Sequence, residues 1–224
     1  KSLLSNGLTV FYSDFGKKGV AETWDARRKK QIASIDEFKD FQNYNIITGE
    51  NNYVDIDLDR PETRKLADEF LAPTLMEFGR ESTKRSHRIY KVIDLTKKHT
   101  RTSFNFEDPT KSTYVELRAH KHYTMCIWSS CNTPTEITYD VLFKQTAMLA
   151  VASVFLKKLP SGSKHDEYIR YIVNTMYHHS IVRDDAEKIL RAVLKHSNCD
   201  NCCKDGEPAT DKLAKLKTYD KDRS

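Results

Sequence analysis

Between Asn51 and Pro61 the run Asn-Asn-Tyr-Val-Asp-Ile-Asp-Leu-Asp-Arg-Pro sets Asp55, Asp57 and Asp59 at every second position. In an extended strand the side chains alternate between faces, so the three acids share one face with Val54, Ile56 and Leu58 behind them. Carboxylates held this close repel one another unless cations compensate. Hard cations such as Mg²⁺ or Mn²⁺ take oxygen ligands, and metals held by strand carboxylates suit phosphoryl transfer. The plain alternative is an exposed edge strand with solvated acids; aspartate is a poor strand former, which weighs against it.

A basic stretch follows, Phe78-Gly79-Arg80-Glu81-Ser82-Thr83-Lys84-Arg85-Ser86-His87-Arg88-Ile89-Tyr90-Lys91-Val92, which reads as a polar loop entering a strand near His87. From Arg80 to Arg101, eight basic residues (Arg80, Lys84, Arg85, Arg88, Lys91, Lys97, Lys98, Arg101) meet only Glu81 and Asp94, a local charge of +6. Such a cluster suits the phosphates of a nucleotide or a nucleic-acid backbone. A solvated charged hairpin is the plain alternative. In a third stretch, Tyr114–Tyr123, Glu116 lies between Val115 and Leu117 and points away from both, with Arg118 on its own face. A cross-strand ion pair on the solvent side explains that pattern equally well.

The elements that must hold these residues change character near residue 140. Before it, β-branched and aromatic runs predict strands at Leu8–Tyr12, Tyr53–Leu58, Ile89–Ile93, Thr113–Leu117 and Thr124–Trp128, with helices over Ser34–Phe41 and Pro61–Glu77. Ser34 and Glu37 form a capping box, and Pro61 suits a first helical turn after Asp59. Beyond it the pattern predicts helices over Tyr139–Lys158, His165–His179, Asp184–His196 (capped by Asp184) and Thr210–Tyr219. The expected organisation is an α+β domain over 1–139 followed by a helical domain over 140–224.

Composition bounds the function classes. The 224 residues are 38% hydrophobic and 31% charged, which supports a packed core and excludes wholesale disorder. The longest strongly apolar stretch, Gln145–Leu156, is broken by Thr146 and Ser153 and falls short of the ~20 residues of a membrane span, so no membrane partner is expected. A net charge of +5 is too mild to mark a nucleic-acid binder by itself. Five cysteines without an export signal read as reduced thiols in a cytoplasmic protein. The spacing of His196, Cys199, Cys202 and Cys203 could bind Zn²⁺, although a helix–helix turn is the plainer reading. No Gly-x-x-x-x-Gly-Lys-Ser/Thr occurs, so the chain carries no P-loop motor. The first residue is Lys1 rather than Met, which suggests that an N-terminal piece precedes it.

Taken in order, acids on a strand, a basic Ser-His turn and an acid on a later strand resemble the archaeo-eukaryotic primase superfamily, in its primase-polymerase branch of plasmids, phages and other mobile elements. The residues that carry the resemblance are Asp55-Ile56-Asp57-Leu58-Asp59, Arg85-Ser86-His87 and Val115-Glu116-Leu117, over roughly residues 45–130. Arg85 stands where the family's second motif has a small residue. Ala119-His120-Lys121-His122 and Trp128-Ser129-Ser130 replace the family's glycine-containing turn and Pro-Pro-Ser-like stretch.

The resemblance implies an RRM-like catalytic core with an N-terminal α/β unit, then a small helical bundle. It implies template-directed nucleotidyl transfer with Mg²⁺ or Mn²⁺ held by Glu116 and either Asp55/Asp57 or Asp57/Asp59, the first pair being favoured. Arg80, Ser86, His87, Lys91 and Arg118 would contact the nucleotide; Lys84, Arg85, Arg88, Lys97, Lys98 and Arg101 would contact nucleic acid. The implied partners are a single-stranded DNA template, a primer, NTP or dNTP, and a replicative helicase on the same chain or a separate one. Two rivals stand beside this reading: a replication initiator or metal-dependent nuclease, and a catalytically silent nucleic-acid-binding module. For the initiator, His120-Lys121-His122 with Tyr123 adjacent is a poor match to a His-hydrophobe-His site with a separate tyrosine.

Overall fold

A computed structural model describes residues 2–14, 31–32, 34–37, 42–105, 113–126, 133–160, 164–197, 203–204, 207–208 and 213–219. The chain forms two compact units, Lys1–Asp59 with Ala72–Thr146 and Arg60–Leu71 with Ala147–Ser224. The fold is mixed α+β with mainly antiparallel sheets.

In the first unit a short helix α1 (Ser2–Ser5) precedes strands β1 (Val10–Asp14), β2 (Gln42–Thr48), β3 (Tyr53–Leu58), β4 (Glu77–Arg80), β5 (Thr83–Val92), β6 (Thr102–Phe104), β7 (Val115–Arg118), β8 (His122–Cys126) and β9 (Thr135–Ile137). Six strands form one sheet in the order β4-β5-β3-β7-β6, with β9 parallel to β5; β1, β2 and β8 form a second sheet in the order β1-β2-β8. Strand β3 is central, paired antiparallel to β5 on one side and to β7 on the other. All six of its residues are buried, so the solvated edge strand does not occur. Asp59 lies beyond the strand end and is exposed, so two acids rather than three alternate on β3.

One face of the larger sheet packs into an apolar core. Tyr53, Met76, Phe78 and Ile89 cluster there with Val10, Tyr44 and Ile46 of the second sheet and with Leu3, Leu8 and Ile32. Burying each large apolar side chain of this kind contributes about 1.5–3 kcal/mol. The period of two puts Asp55 and Asp57 on the same face as Tyr53, so the acids border this core instead of facing open water. Gly49, before β3, has φ +83, and a Cβ there would meet His120 Cα at 2.4 Å.

The second unit contains α2 (Pro61–Phe70), α4 (His165–His178) and α5 (Arg183–Lys195); α3 (Tyr139–Lys158) begins in the first unit and ends in the second. Pro61 is the first helical residue of α2, as expected, with Arg60 as the N-cap, but α2 stops at Phe70, so Glu77 opens a strand instead of closing a helix. Likewise Val182 caps α5, while Asp184 falls in the first turn, where its charge meets the positive end of the helix dipole. Glu69 of α2 accepts from His196 Nε2 at 2.8 Å and from Lys195 Nζ at 2.9 Å, and Lys65 Nζ donates to the His196 carbonyl at 2.6 Å.

Other predicted bounds shift by a few residues. Strands expected at Leu8–Tyr12, Thr113–Leu117 and Thr124–Trp128 run at Val10–Asp14, Val115–Arg118 and His122–Cys126. The expected helix Ser34–Phe41 is a 3-10 turn at Ile35–Glu37 in its described part, and the last expected helix is a 3-10 segment at Ala214–Tyr219. The Glu37 carboxylate still accepts from the Ser34 backbone N–H at 2.9 Å, one half of the expected capping box.

Helix α3 matches its predicted bounds and, at 20 residues, passes a test of length and composition for crossing a membrane that a buried core helix passes equally. Leu142, Leu149, Ala150, Ala152 and Phe155 are buried within the protein. Thr146 and Ser153 are buried with them, each hydroxyl donating 2.7 Å to the carbonyl four residues earlier. Internal satisfaction of this kind is what a buried hydroxyl needs in any apolar surrounding.

Candidate functional site

Strand register builds the site. On β3, Asp57 stands opposite His87 of β5 on one side and Glu116 of β7 on the other; one pleat away, Asp55 stands opposite Ile89 and Arg118. Opposed residues share a face, so Asp55, Asp57, His87, Glu116 and Arg118 converge on the core-facing side of the sheet. Asp55 is fully buried and Asp57 is 6% exposed. Glu116 points away from Val115 and Leu117, as the alternation predicts.

The carboxylates are compensated by side chains. Arg118 Nη2 pairs with both Asp57 and Glu116, the latter at 2.9 Å; its Nε donates to Glu116 at 2.9 Å, and Nη1 stands 3.6 Å from Asp55. Arg101 Nη2 pairs with the other oxygen of Glu116, which also accepts from Thr113 and Ser103 at 3.3 and 3.4 Å. His87 Nδ1 lies 3.1 Å from Asp55 and 3.5 Å from Asp57, and its ring stacks on Phe78 with 5.1 Å between centroids. From the second sheet, Thr124 Oγ1 lies 3.3 Å from His87 Nδ1 and accepts from Arg118 Nη1 at 3.1 Å. Asp59 accepts from Thr113 Oγ1 at 2.6 Å, which ties the third acid to the rim of the site.

Burial and charge oppose each other here. Burial pushes the Asp57 carboxyl up to about 7, with His87 and Arg118 working against it and Asp55 with it. Burial also raises Asp55, but His87, Arg118 and the Thr124 hydroxyl outweigh it and hold that carboxyl below its ordinary value. For Glu116 burial is again outweighed, by Arg118 and Arg101, and its carboxyl is lowered. Burial works against a charged His87, yet Asp55 and Asp57 raise its affinity for a proton. Asp57 is therefore the acid whose charge is least compensated.

The rest of the basic stretch is dispersed. Arg85 pairs with Glu77 at 2.5 Å, Lys84 with Glu81 at 2.8 Å, and Lys91 with Glu136 at 2.8 Å. Arg88, placed among the nucleic-acid contacts by sequence, is 1% exposed and sits 3.3 Å from Glu77, which withdraws it from any open basic surface. Arg80, Lys97 and Lys98 are exposed, and Arg101, also exposed, reaches into the carboxylate site. Ser86 is buried beside Gly79, where an added Cβ would stand 2.9 Å from its hydroxyl and 2.2 Å from the Thr83 carbonyl; its place is the β4–β5 hairpin.

Thr124, Thr113, Ser103 and Phe78 complete the site, and no local motif marks them. His120 lies in the turn before β8, and His122 Nδ1 accepts from the Tyr123 backbone N–H at 3.0 Å. Of the proposed zinc residues, His196 is engaged by Glu69; Cys199 and Cys202, and the side chain of Cys203, lie outside the described residues. Among the described residues no three His, Cys, Asp or Glu side chains stand at the mutual spacing of a metal-ligand set. A scan against protein-family models finds no matching family, and no curated protein matches the sequence.

Proposed function

We propose that this chain is a template-directed nucleotidyltransferase, a DNA primase-polymerase with an RRM-like catalytic core, acting in replication of a mobile element. The observation that carries the reading is the register of three strands: His87, Asp57 and Glu116 lie side by side, with Asp55 one pleat on. The order acid-x-acid, histidine, acid is that of the family the sequence resembles.

The donor types suit divalent cations, and a bound ion would have to draw the carboxylates from their present spacing into a ligand set. Three carboxylates converge, and the buried Asp55 Oδ1 accepts no hydrogen bond. A buried orphan carboxylate oxygen costs free energy and is relieved by a cation. When bound by Asp55, Asp57 and Glu116, Mg²⁺ or Mn²⁺ would activate the attacking hydroxyl and neutralise the leaving pyrophosphate. His87, held at Nδ1 by Asp55, leaves Nε2 to donate to a triphosphate oxygen. Exposed Arg80, Lys97 and Lys98 provide the phosphate-facing charge for a template or primer strand. The reading carries with it a nucleoside triphosphate, a single-stranded DNA template with primer, a cytoplasmic setting and a helicase partner.

A second reading, the catalytically silent nucleic-acid-binding module, is favoured by one observation: Arg118 and Arg101 already neutralise Glu116, and Arg118 reaches Asp55 and Asp57. Primer extension with Mn²⁺ or Mg²⁺ separates the two. The enzyme extends a primer and Asp55→Ala/Asp57→Ala does not; the silent module binds DNA without extension, and nicking without extension identifies a nuclease.

A further inference from the structure

The acids of the site share one guanidinium. Arg118 spans Asp57 and Glu116 with Nη2, donates Nε to Glu116, and brings Nη1 to 3.6 Å from Asp55. These are the oxygens a divalent ion would need, and two cations within about 4 Å of each other repel by several kcal/mol in a poorly hydrated site. A guanidinium in this place and a bound metal therefore compete for the same oxygens. Two features make the guanidinium removable. Its Nη1 has an anchor apart from the acids, the Thr124 hydroxyl at 3.1 Å, and its side chain remains 16% exposed at the margin of the core. Meanwhile Asp55 Oδ1, fully buried, accepts nothing from it.

We infer that Arg118 is an exchangeable counter-ion: it holds Asp55, Asp57 and Glu116 together in the metal-free protein and withdraws toward Thr124 when a divalent ion enters. This rests on the metal-dependent reading above and adds a device to it. Metal loading and release of Arg118 form one exchange, so the freed guanidinium faces the loaded centre only when the metal is in place. Its planar fork then suits a phosphate of the incoming nucleotide. Affinity for the metal alone is kept low, because each ion must displace an internal cation, and the empty site is protected from the repulsion of its own acids.

The test is Mn²⁺ binding to the full chain, measured by the loss of free-ion signal in electron paramagnetic resonance, with thermal unfolding alongside. A merely structural arginine predicts weaker binding when it is removed; an exchangeable counter-ion predicts tighter binding. Arg118→Gln should bind Mn²⁺ roughly tenfold or more tighter than wild type, with Arg118→Lys between them. Arg118→Gln should also melt below wild type in chelator and recover when Mn²⁺ is added. Adding Asp55→Asn to Arg118→Gln should abolish the gain. Equal or weaker binding by Arg118→Gln overturns the inference and leaves the metal centre standing. If folded wild type and both variants bind no Mn²⁺, the metal-dependent reading itself is overturned. Should Arg118→Gln fail to fold even with Mn²⁺, Arg118→Lys decides, tighter binding supporting the exchange and equal or weaker binding overturning it.

Discussion

Asp57 of β3 and Glu116 of β7 stand directly opposite each other on neighbouring strands, bridged by the Arg118 guanidinium. Opposed acids in a buried sheet are destabilising unless a cation lies between them. The arrangement is thus either a finished ion-pair network or the resting form of a metal centre, and the difference is measurable.

The first consequence is a pH dependence of the metal-free protein. Asp57 is raised to about 7 by burial, and His87 is raised by Asp55 and Asp57 against its own burial. Both groups bind protons more tightly folded than unfolded, so the folded state holds more protons and stability falls as pH rises. The Asp57 share is fully present below the unfolded carboxylate value and is lost as pH climbs through about 7, and the His87 share is lost as pH passes its own raised value. In chelator, Tm should fall between about pH 5 and about pH 8, and Asp57→Asn should flatten most of that decline. A Tm that rises across this interval in chelator contradicts the assignment.

The Thr124 hydroxyl joins the two sheets of the first unit through His87 and Arg118. Thr124→Val keeps the shape and removes one contact from each partner, while His87 keeps Asp55 and Arg118 keeps Asp57 and Glu116. It should cost about 0.5–1.5 kcal/mol in urea unfolding, the usual net contribution of a hydrogen bond whose partners keep other contacts. An unchanged midpoint would show that neither contact contributes.

Gly49 combines φ +83 with a His120 backbone atom 2.4 Å from where a Cβ would sit. Gly49→Ala meets both the left-handed backbone penalty and the overlap, and should destabilise by about 2–5 kcal/mol. Chemical denaturation measures this directly, and a loss under about 0.5 kcal/mol would contradict the close approach.

What was legible in the sequence was local. Tyr53–Leu58 stood out because β-branched and apolar residues alternate with acids, and α2 began at Pro61 because proline suits a first helical turn. Helix α3 matched its predicted ends, and the sidedness of Val115–Arg118 followed from a period of two. Charge counting failed because it ran along the chain. The +6 of Arg80–Arg101 is dispersed by Glu77, Glu136 and Glu116, which strand pairing and packing bring in from outside that window. Asp59 left the acid face because the strand ends at Leu58, before Arg60 caps a helix. Arg88 disappeared into the interior, since a window of positive charge says nothing about which side of a strand is buried. Thr124 arrives from a different sheet, a relationship that no spacing encodes.

The most direct test of the central claim is template-dictated incorporation by the wild-type chain. A labelled primer on single-stranded template is incubated with Mn²⁺ and each nucleoside triphosphate separately. Addition of only the complementary nucleotide, reduced at least about a hundredfold in Glu116→Gln, is the predicted result, since loss of a single charge-stabilising group at a transition state costs on that order. No incorporation by folded, DNA-binding wild-type protein, or undiminished incorporation by Glu116→Gln, would contradict the account.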